Sequence, residues 1–260
     1  MRSIWNGSIN FGLVTIPIKL YSGSEDRRID LDMLDKKDHA RIRYKRVNEN
    51  TGKEVAWKNI VKGYRESDEE EYVILEKEDF EMANMKKTRT IEIESFVEET
   101  QIEDVLFKKP YFIEPQKGGG KSYNLLRDAL EKTGKLGVAT FVMREKEHLS
   151  LIGVYKNILV LHQIRFEDEM RDPKELKVTK TKVSKKEVDM AENLIENYTE
   201  PFKLSAFKDV YNAQLLKIIK QKATGKFKKP KKVESTPTAA TDLMAQLKAS
   251  LEKRKKAKAS

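Results

Sequence analysis

The sequence predicts a mixed, β-rich fold carrying helices, and three stretches of the 260-residue chain predict it. Residues 110–165 read strand, helix, strand and hairpin with no long loop between them. Residues 3–21 alternate apolar and polar side chains over the length that a bent barrel strand needs. Residues 184–224 change to helical spacing. The strand-dense stretch is the core of one domain; the rest packs on it or hangs from it.

In chain order, Ile9, Phe11 and Leu13 alternate, then the phase shifts to Val14, Ile16, Ile18 and Leu20. A one-residue shift beside Gly12 predicts a β-bulge in one long strand. Pro17 has no amide hydrogen for a ladder, so its amide side faces an edge or a bulge. Residues 22–70 hold few apolar runs and predict an extended, thinly packed arm. In it, Ile29, Leu31 and Met33 alternate. Arg41, Arg43 and Lys45 share one face of a second alternating piece, with Ile42, Tyr44 and Arg46 on the other. Asn48 to Gly52 is a turn returning through Val55, and Ile60 to Arg65, with Lys62 inside it, is extended again. Three cations on one face suit a solvated edge guarded against aggregation. They also suit a ribbon that tracks phosphates, although the residues alone favour the solvated edge.

Glu71 to Leu75 predicts a buried strand, Glu76 to Asn84 a short helix, and Thr90 to Val97 a half-exposed strand. Thr100 to Glu103 has capping-box spacing. Pro110 to Pro115 is an apolar strand; Ser122 then stands as N-cap to a helix bearing Tyr123, Leu126 and Leu130 and closed by Gly134. Leu136–Met143, Leu149–Val154 and Ile158–Ile164 predict three more strands. Ser184 and Glu187 form a capping box, with Val183 and Val188 as its staple. Val188, Ala191, Leu194, Ile195 and Tyr198 make that helix's stripe, and Pro201 ends it. Ala206 to Thr224 predicts another helix with Val210, Tyr211, Leu215, Ile218 and Ile219 inward. Residues 226–240 form a basic flexible linker. Residues 241–260 form a last amphipathic helix, with Leu243, Met244, Leu247 and Leu251 on one face and Lys253 to Lys258 as a basic end.

Charge is concentrated at one end. Residues 217–260 carry 14 Lys and Arg against 3 Asp and Glu, a net of +11; the whole chain is +10, which leaves −1 for residues 1–216. Such a tail either solubilises the chain or binds a polyanion. The chain has no cysteine, which excludes disulfides, thiolate zinc sites and cysteine nucleophiles. No apolar run approaches a membrane span, and the N-terminus has no signal-peptide pattern. A soluble intracellular protein is expected.

The residues offer little chemistry. Gly119-Gly-Lys-Ser122 looks like the end of a phosphate-binding loop, but Pro115 stands where that motif needs its first glycine. His39, His148 and His162 lack metal-ligand spacing. Nothing assembles a nucleophile, a base and an oxyanion site. The residues alone predict a binding protein with no catalytic site, cofactor or metal.

The sequence resembles the bacterial Ku proteins. The resemblance is carried by Ile4 to Tyr21, Thr51 to Val55, Ile60 to Tyr64, Lys109 to Pro115, Ser122 to Leu130 and Arg144 to Leu149. Phe202 to Lys222 and Asp242 to Glu252 are similar to the family's later helices. The resemblance implies a Ku-type β-barrel core over residues 1–225, with a bridge arm near 22–70 and a helical arm near 184–225. It implies a ring-shaped homodimer that binds double-stranded DNA ends without sequence preference, and no catalytic site. It implies recruitment of an ATP-dependent DNA ligase (LigD type) in non-homologous end joining, and a cytoplasmic, nucleoid-associated place in a bacterium. The arm cations Arg41, Arg43, Lys45, Arg46, Lys62 and Arg65 become the expected DNA contacts. Leu243, Met244, Leu247 and Leu251 become the expected partner contact. Two other readings stand beside this one: a ligase or nuclease subunit with its own activity, and an architectural duplex-binding protein with no preference for ends.

Overall fold

The first nineteen alternating residues fold as two strands, β1 (Trp5–Phe11) and β2 (Val14–Ser22). They pair antiparallel from Trp5↔Leu20 to Phe11↔Val14, so only Gly12 and Leu13 turn the chain. Gly12 has φ +57°, a conformation that glycine adopts without strain. The phase shift is therefore a tight hairpin and not the expected bulge. Both events displace the alternation by one residue, and only the strand pairing separates them. The structure, a computed structural model, describes residues 1–83, 89–144, 146–227 and 243–259; of 243 and 253–259 it describes the backbone only. Asn84, Glu145, Asp242 and most of the expected linker lie outside the described residues.

Seven strands close into a barrel. The remaining five are β5 (Thr90–Glu98), β6 (Phe107–Pro115), β7 (Lys135–Met143), β8 (Lys146–Tyr155) and β9 (Ile158–Ile164). Around the barrel the order is β1-β2-β6-β9-β8-β7-β5. Every neighbouring pair is antiparallel except β1 and β5. An odd number of strands cannot alternate direction all the way round, so one parallel seam is required. Ile9, Ile16, Ile18, Leu20, Ile91, Tyr111, Ile113, Phe141, Ile152, Leu159 and Leu161 form the buried core. Their alternate spacing along each strand sends them to one face.

Helix α2 (Gly120–Thr133) lies against β2, β7 and β8, which stand on different sides of the barrel. It therefore covers an opening, and its Tyr123, Leu126 and Leu130 join the core. The Tyr123 hydroxyl donates to the Ile113 carbonyl at 2.8 Å and accepts from the Leu159 amide at 2.8 Å. This helix starts two residues before the expected Ser122 cap. Gly119 is its N-cap and offers no side chain. The start is set by packing: a Cβ on Gly119 would come within 2.9 Å of the Pro17 carbonyl. Gln116 donates its amide to that carbonyl and its side chain to Ile18, tying the loop to β2. The end is as expected, with Gly134 left-handed and its N–H on the Leu130 carbonyl.

The segment between β2 and β5 has little regular structure. It holds two isolated bridges, Leu34↔Arg41 and Val47↔Glu54, and a two-stranded ribbon of β3 (Lys62–Tyr64) with β4 (Val73–Leu75). The Asn48 to Gly52 turn forms, with Val55 donating to the Arg46 carbonyl. The expected buried strand at 71–75 is exposed: Val73 is 62% accessible and Ile74 53%. A ribbon of two strands has no second layer of its own to cover its faces. Helix α1 (Lys77–Ala83) follows. The expected capping box at Thr100 is replaced by one formed by Glu98 and Gln101, opening a single 3-10 turn at Glu99–Gln101.

The described chain divides into two compact units, Met1–Asp172 and Pro173–Ser260. The second holds α3 (Lys185–Tyr198), α4 (Val210–Ala223) and α5 (Leu243–Ala259). Ser184 caps α3 through the expected box with Glu187. The half-buried side of α3 is Met190, Ala191 and Leu194, while Val188, Ile195 and Tyr198 are exposed, so its stripe is rotated from the expected one. On α4, Leu215 and Ile218 are half-buried, but Val210, Tyr211 and Ile219 are exposed, not inward. The capping residue, Asp209, starts α4 three residues after the expected Ala206.

Candidate nucleic-acid interface

The arm between β2 and β5 carries the six sequence-nominated cations, five of them exposed and Arg65 half-buried. They divide by what each touches. Arg41 forms an ion pair with Asp32 at 2.5 Å, and Lys45 with Glu54 at 2.8 Å. Both pairs bridge across the two isolated turns, which is why those carboxylates reach them. All four side chains are more than half exposed, and such pairs are worth only about 0–1 kcal/mol each. A phosphate can therefore replace the carboxylate at little cost.

The other cations use rings. The Arg46 guanidinium lies 4.6 Å from the Trp57 ring centre, and that of Arg65 lies 4.7 Å from Tyr72. Lys62 sits 4.4 Å from Phe80. Arg65 also pairs with Asp68 at 2.7 Å. Stacking holds the Arg46 guanidinium in one plane with its N–H edge directed to meet a phosphate, whereas the edge of Arg65 is already engaged by Asp68. Arg43 has neither a ring nor a carboxylate partner among the described residues. The cations thus fall into two groups along the chain, Arg41 to Arg46, the last of them on Trp57, and Lys62 with Arg65 at the β3 ribbon. The chemistry that these cations offer first is attraction to a charged backbone.

Sequence reading missed a second basic feature, on the barrel. Lys108 of β6 and Lys146 of β8 share the Glu169 carboxylate at 2.6 and 3.3 Å. The Lys108 hydrogen bond, helped by the Phe166 amide, holds Glu169 down to about 2. No spacing in the sequence links these three residues. Nearby, Gln163 donates to His148 Nδ1 at 2.8 Å, which leaves Nε2–H for the Met143 carbonyl at 3.3 Å. Burial lowers the pKa of His148, in keeping with this neutral ring. Burial lowers His162 as well.

An open groove of about 420 Å³ beside Tyr21, Phe112, Pro115 and Ile158 is largely apolar. Its carboxylate, Glu114, accepts from the Tyr21 hydroxyl, which raises that hydroxyl's pKa. The groove assembles no nucleophile with a base. Among the described residues no group of His, Asp and Glu could hold a metal ion. No helix among them is long and apolar enough to cross a membrane. Of the nominated partner contacts, Met244, Leu247 and Leu251 are half-buried on α5, which lies against α3. The Leu243 side chain lies outside the description.

Comparison with known proteins bears on the whole chain. The family model of the Ku70/Ku80 beta-barrel domain matches residues 10–190. A Coxiella burnetii protein named "Non-homologous end joining protein Ku" is 37% identical, over 99% of this chain and 96% of the relative. An Archaeoglobus fulgidus protein of the same name is 40% identical, over 87% and 90%. One from Bacillus subtilis is 38% identical, over 87% and 73%.

Proposed function

The chain belongs to the Ku family, and on that premise we propose that it holds the ends of double-stranded DNA, without catalysis, in non-homologous end joining. The observation that carries this reading is the arm: a long, mostly exposed segment with almost no packing of its own, whose residues 22–70 hold twelve Lys and Arg, the six nominated ones among them, against twelve Asp and Glu. A segment of that kind is not a core element. It acquires structure from what it touches, and although its charges balance over residues 22–70, the close run of Arg41, Arg43, Lys45 and Arg46 favours a phosphate backbone.

A second copy of the chain completes the clamp. Leu31, Ile42, Trp57, Tyr64 and Val73 are all exposed on the arm and ribbon. An apolar surface of this extent in one chain is the kind that a partner covers. Two arms from a homodimer then close a ring around the duplex. The α5 stripe recruits an ATP-dependent DNA ligase. The test is topological. A ring threads onto a free end, so linear duplex should bind far better than covalently closed circular duplex of the same sequence. Equal binding of the two forms would favour the architectural reading instead.

A further inference from the structure

Helices α3 and α5 pack on one another within the second unit. The half-buried positions of α3 are Glu187, Met190, Ala191, Leu194 and Asn197. Those of α5 are Met244, Leu247, Ser250 and Leu251. Each set recurs at steps of three and four, so each is one stripe of its helix. No residue of α3 is fully buried, so the apolar contact is thin.

The charges of the two helices are opposed. After Lys186, α3 carries Glu187, Asp189, Glu192 and Glu196 and no further cation. In α5, Lys248, Lys253, Arg254, Lys255, Lys256 and Lys258 stand against Glu252 alone. Packed helices have axes about 8–10 Å apart, close to the screening length of about 8 Å at physiological salt. Attraction between the helices therefore survives in dilute salt and fades in concentrated salt.

We propose that α3 is an intramolecular latch for α5, opened by duplex DNA. The acidic helix holds the basic one until phosphates compete for the same cations. Counterion release gives the duplex a large advantage over the three exposed carboxylates of Asp189, Glu192 and Glu196, Glu187 being held in the Ser184 cap. Opening also uncovers Met244, Leu247 and Leu251, which cannot face α3 and another protein at once. In this second consequence the inference rests on the reading of α5 as the ligase contact. Occupation of DNA then precedes recruitment, which is a coupling between two binding events.

The chain has no cysteine, so Ile195→Cys on α3 and Ala249→Cys on α5 take a spin-label pair at two exposed positions. The labelled full-length protein is diluted with unlabelled protein, so that distances are read within one chain, and no ligase is present. A short, narrow distance is expected at low salt. Saturating linear duplex should reduce that population roughly tenfold, within the usual range of such couplings. Replacement of Asp189, Glu192 and Glu196 by Lys should reduce it without DNA; all three are exposed, so the fold survives. A short-distance population untouched by both duplex and charge reversal overturns the latch. The ligase half is read separately, by ligation with Leu247→Asp. Opening by duplex together with normal stimulation by that variant keeps the latch and removes the ligase reading.

Discussion

Among the six nominated cations, Arg43 differs from the others in having no carboxylate or ring among the described residues to leave before it meets a phosphate. Arg41 and Lys45 must first exchange Asp32 and Glu54. Titrations with linear duplex over a salt series should therefore separate them. Arg43→Ala is expected to lower the log–log salt slope by ~1, as for one lost phosphate contact. Arg41→Ala and Lys45→Ala should each lower it by less; identical slopes for all three would refute the distinction. Glu169 makes a second residue-scale case. Its carboxyl is held down to about 2 by Lys108, the Phe166 amide and Lys146. A carboxylate depressed on folding stabilises the protein above its ordinary value near 4.5, and that contribution disappears as pH falls towards 2. Urea unfolding should find Glu169→Gln less stable than the parent at pH 6, with the gap closing by about pH 2. A gap independent of pH would mean that the shared ion pair is not its source.

At the scale of elements, α2 is joined to the barrel by one buried hydroxyl. Tyr123→Phe keeps the ring in the core but leaves the Ile113 carbonyl and the Leu159 amide without that partner. Leaving such groups unsatisfied costs about 1–3 kcal/mol, so denaturant midpoints should drop accordingly while the unfolding slope stays unchanged. An unchanged midpoint would mean that water replaces the hydroxyl. The strands of the barrel were legible because each buries one face, and that burial writes alternation into the sequence. The Gly134 stop and the Ser184 cap were legible because their chemistry is local. Gly12 was misread because a hairpin and a bulge leave the same phase shift. The start of α2 was misread because Pro17, a hundred residues earlier, decides it. The arm cations were visible, but not their partners: Trp57 under Arg46 and Tyr72 under Arg65 are placed by turns that no periodicity marks. The rotation of the α3 stripe was hidden for another reason, since α5 selects the covered face and lies beyond an intervening helix.

Considered as a whole molecule, the chain exposes Arg41, Arg43, Lys45, Arg46 and Lys62 on its arm, so the proposed affinity for duplex should be electrostatic in origin. With about six to ten phosphates neutralised, binding should weaken by roughly 10³ to 10⁵ between 50 and 200 mM salt, whatever the sequence of the duplex. A flat salt response, or one strongly preferred sequence, would count against a clamp. The basic tail supplies part of the overall charge but not the clamp itself. A chain ending at Gly225 loses the segment that carries Lys248 and Lys253 to Lys258, together with all of α5. It keeps the barrel core, the arm and α4, none of which includes a residue beyond 225. It should therefore fold with the parent's barrel stability, assemble as two copies in sedimentation, and still prefer linear duplex to closed circles. Its salt slope should fall, because the tail's phosphate contacts go with it. Stimulation of an ATP-dependent ligase should be lost, since the α5 stripe is the proposed contact. Leu247→Asp in the full chain isolates that contact from the charge of the tail, for it leaves every cation in place. Loss of stimulation in both variants, with end binding retained in both, is the expected pattern. Loss of end binding in the truncated chain alone would transfer the clamp's grip from the arm to the tail.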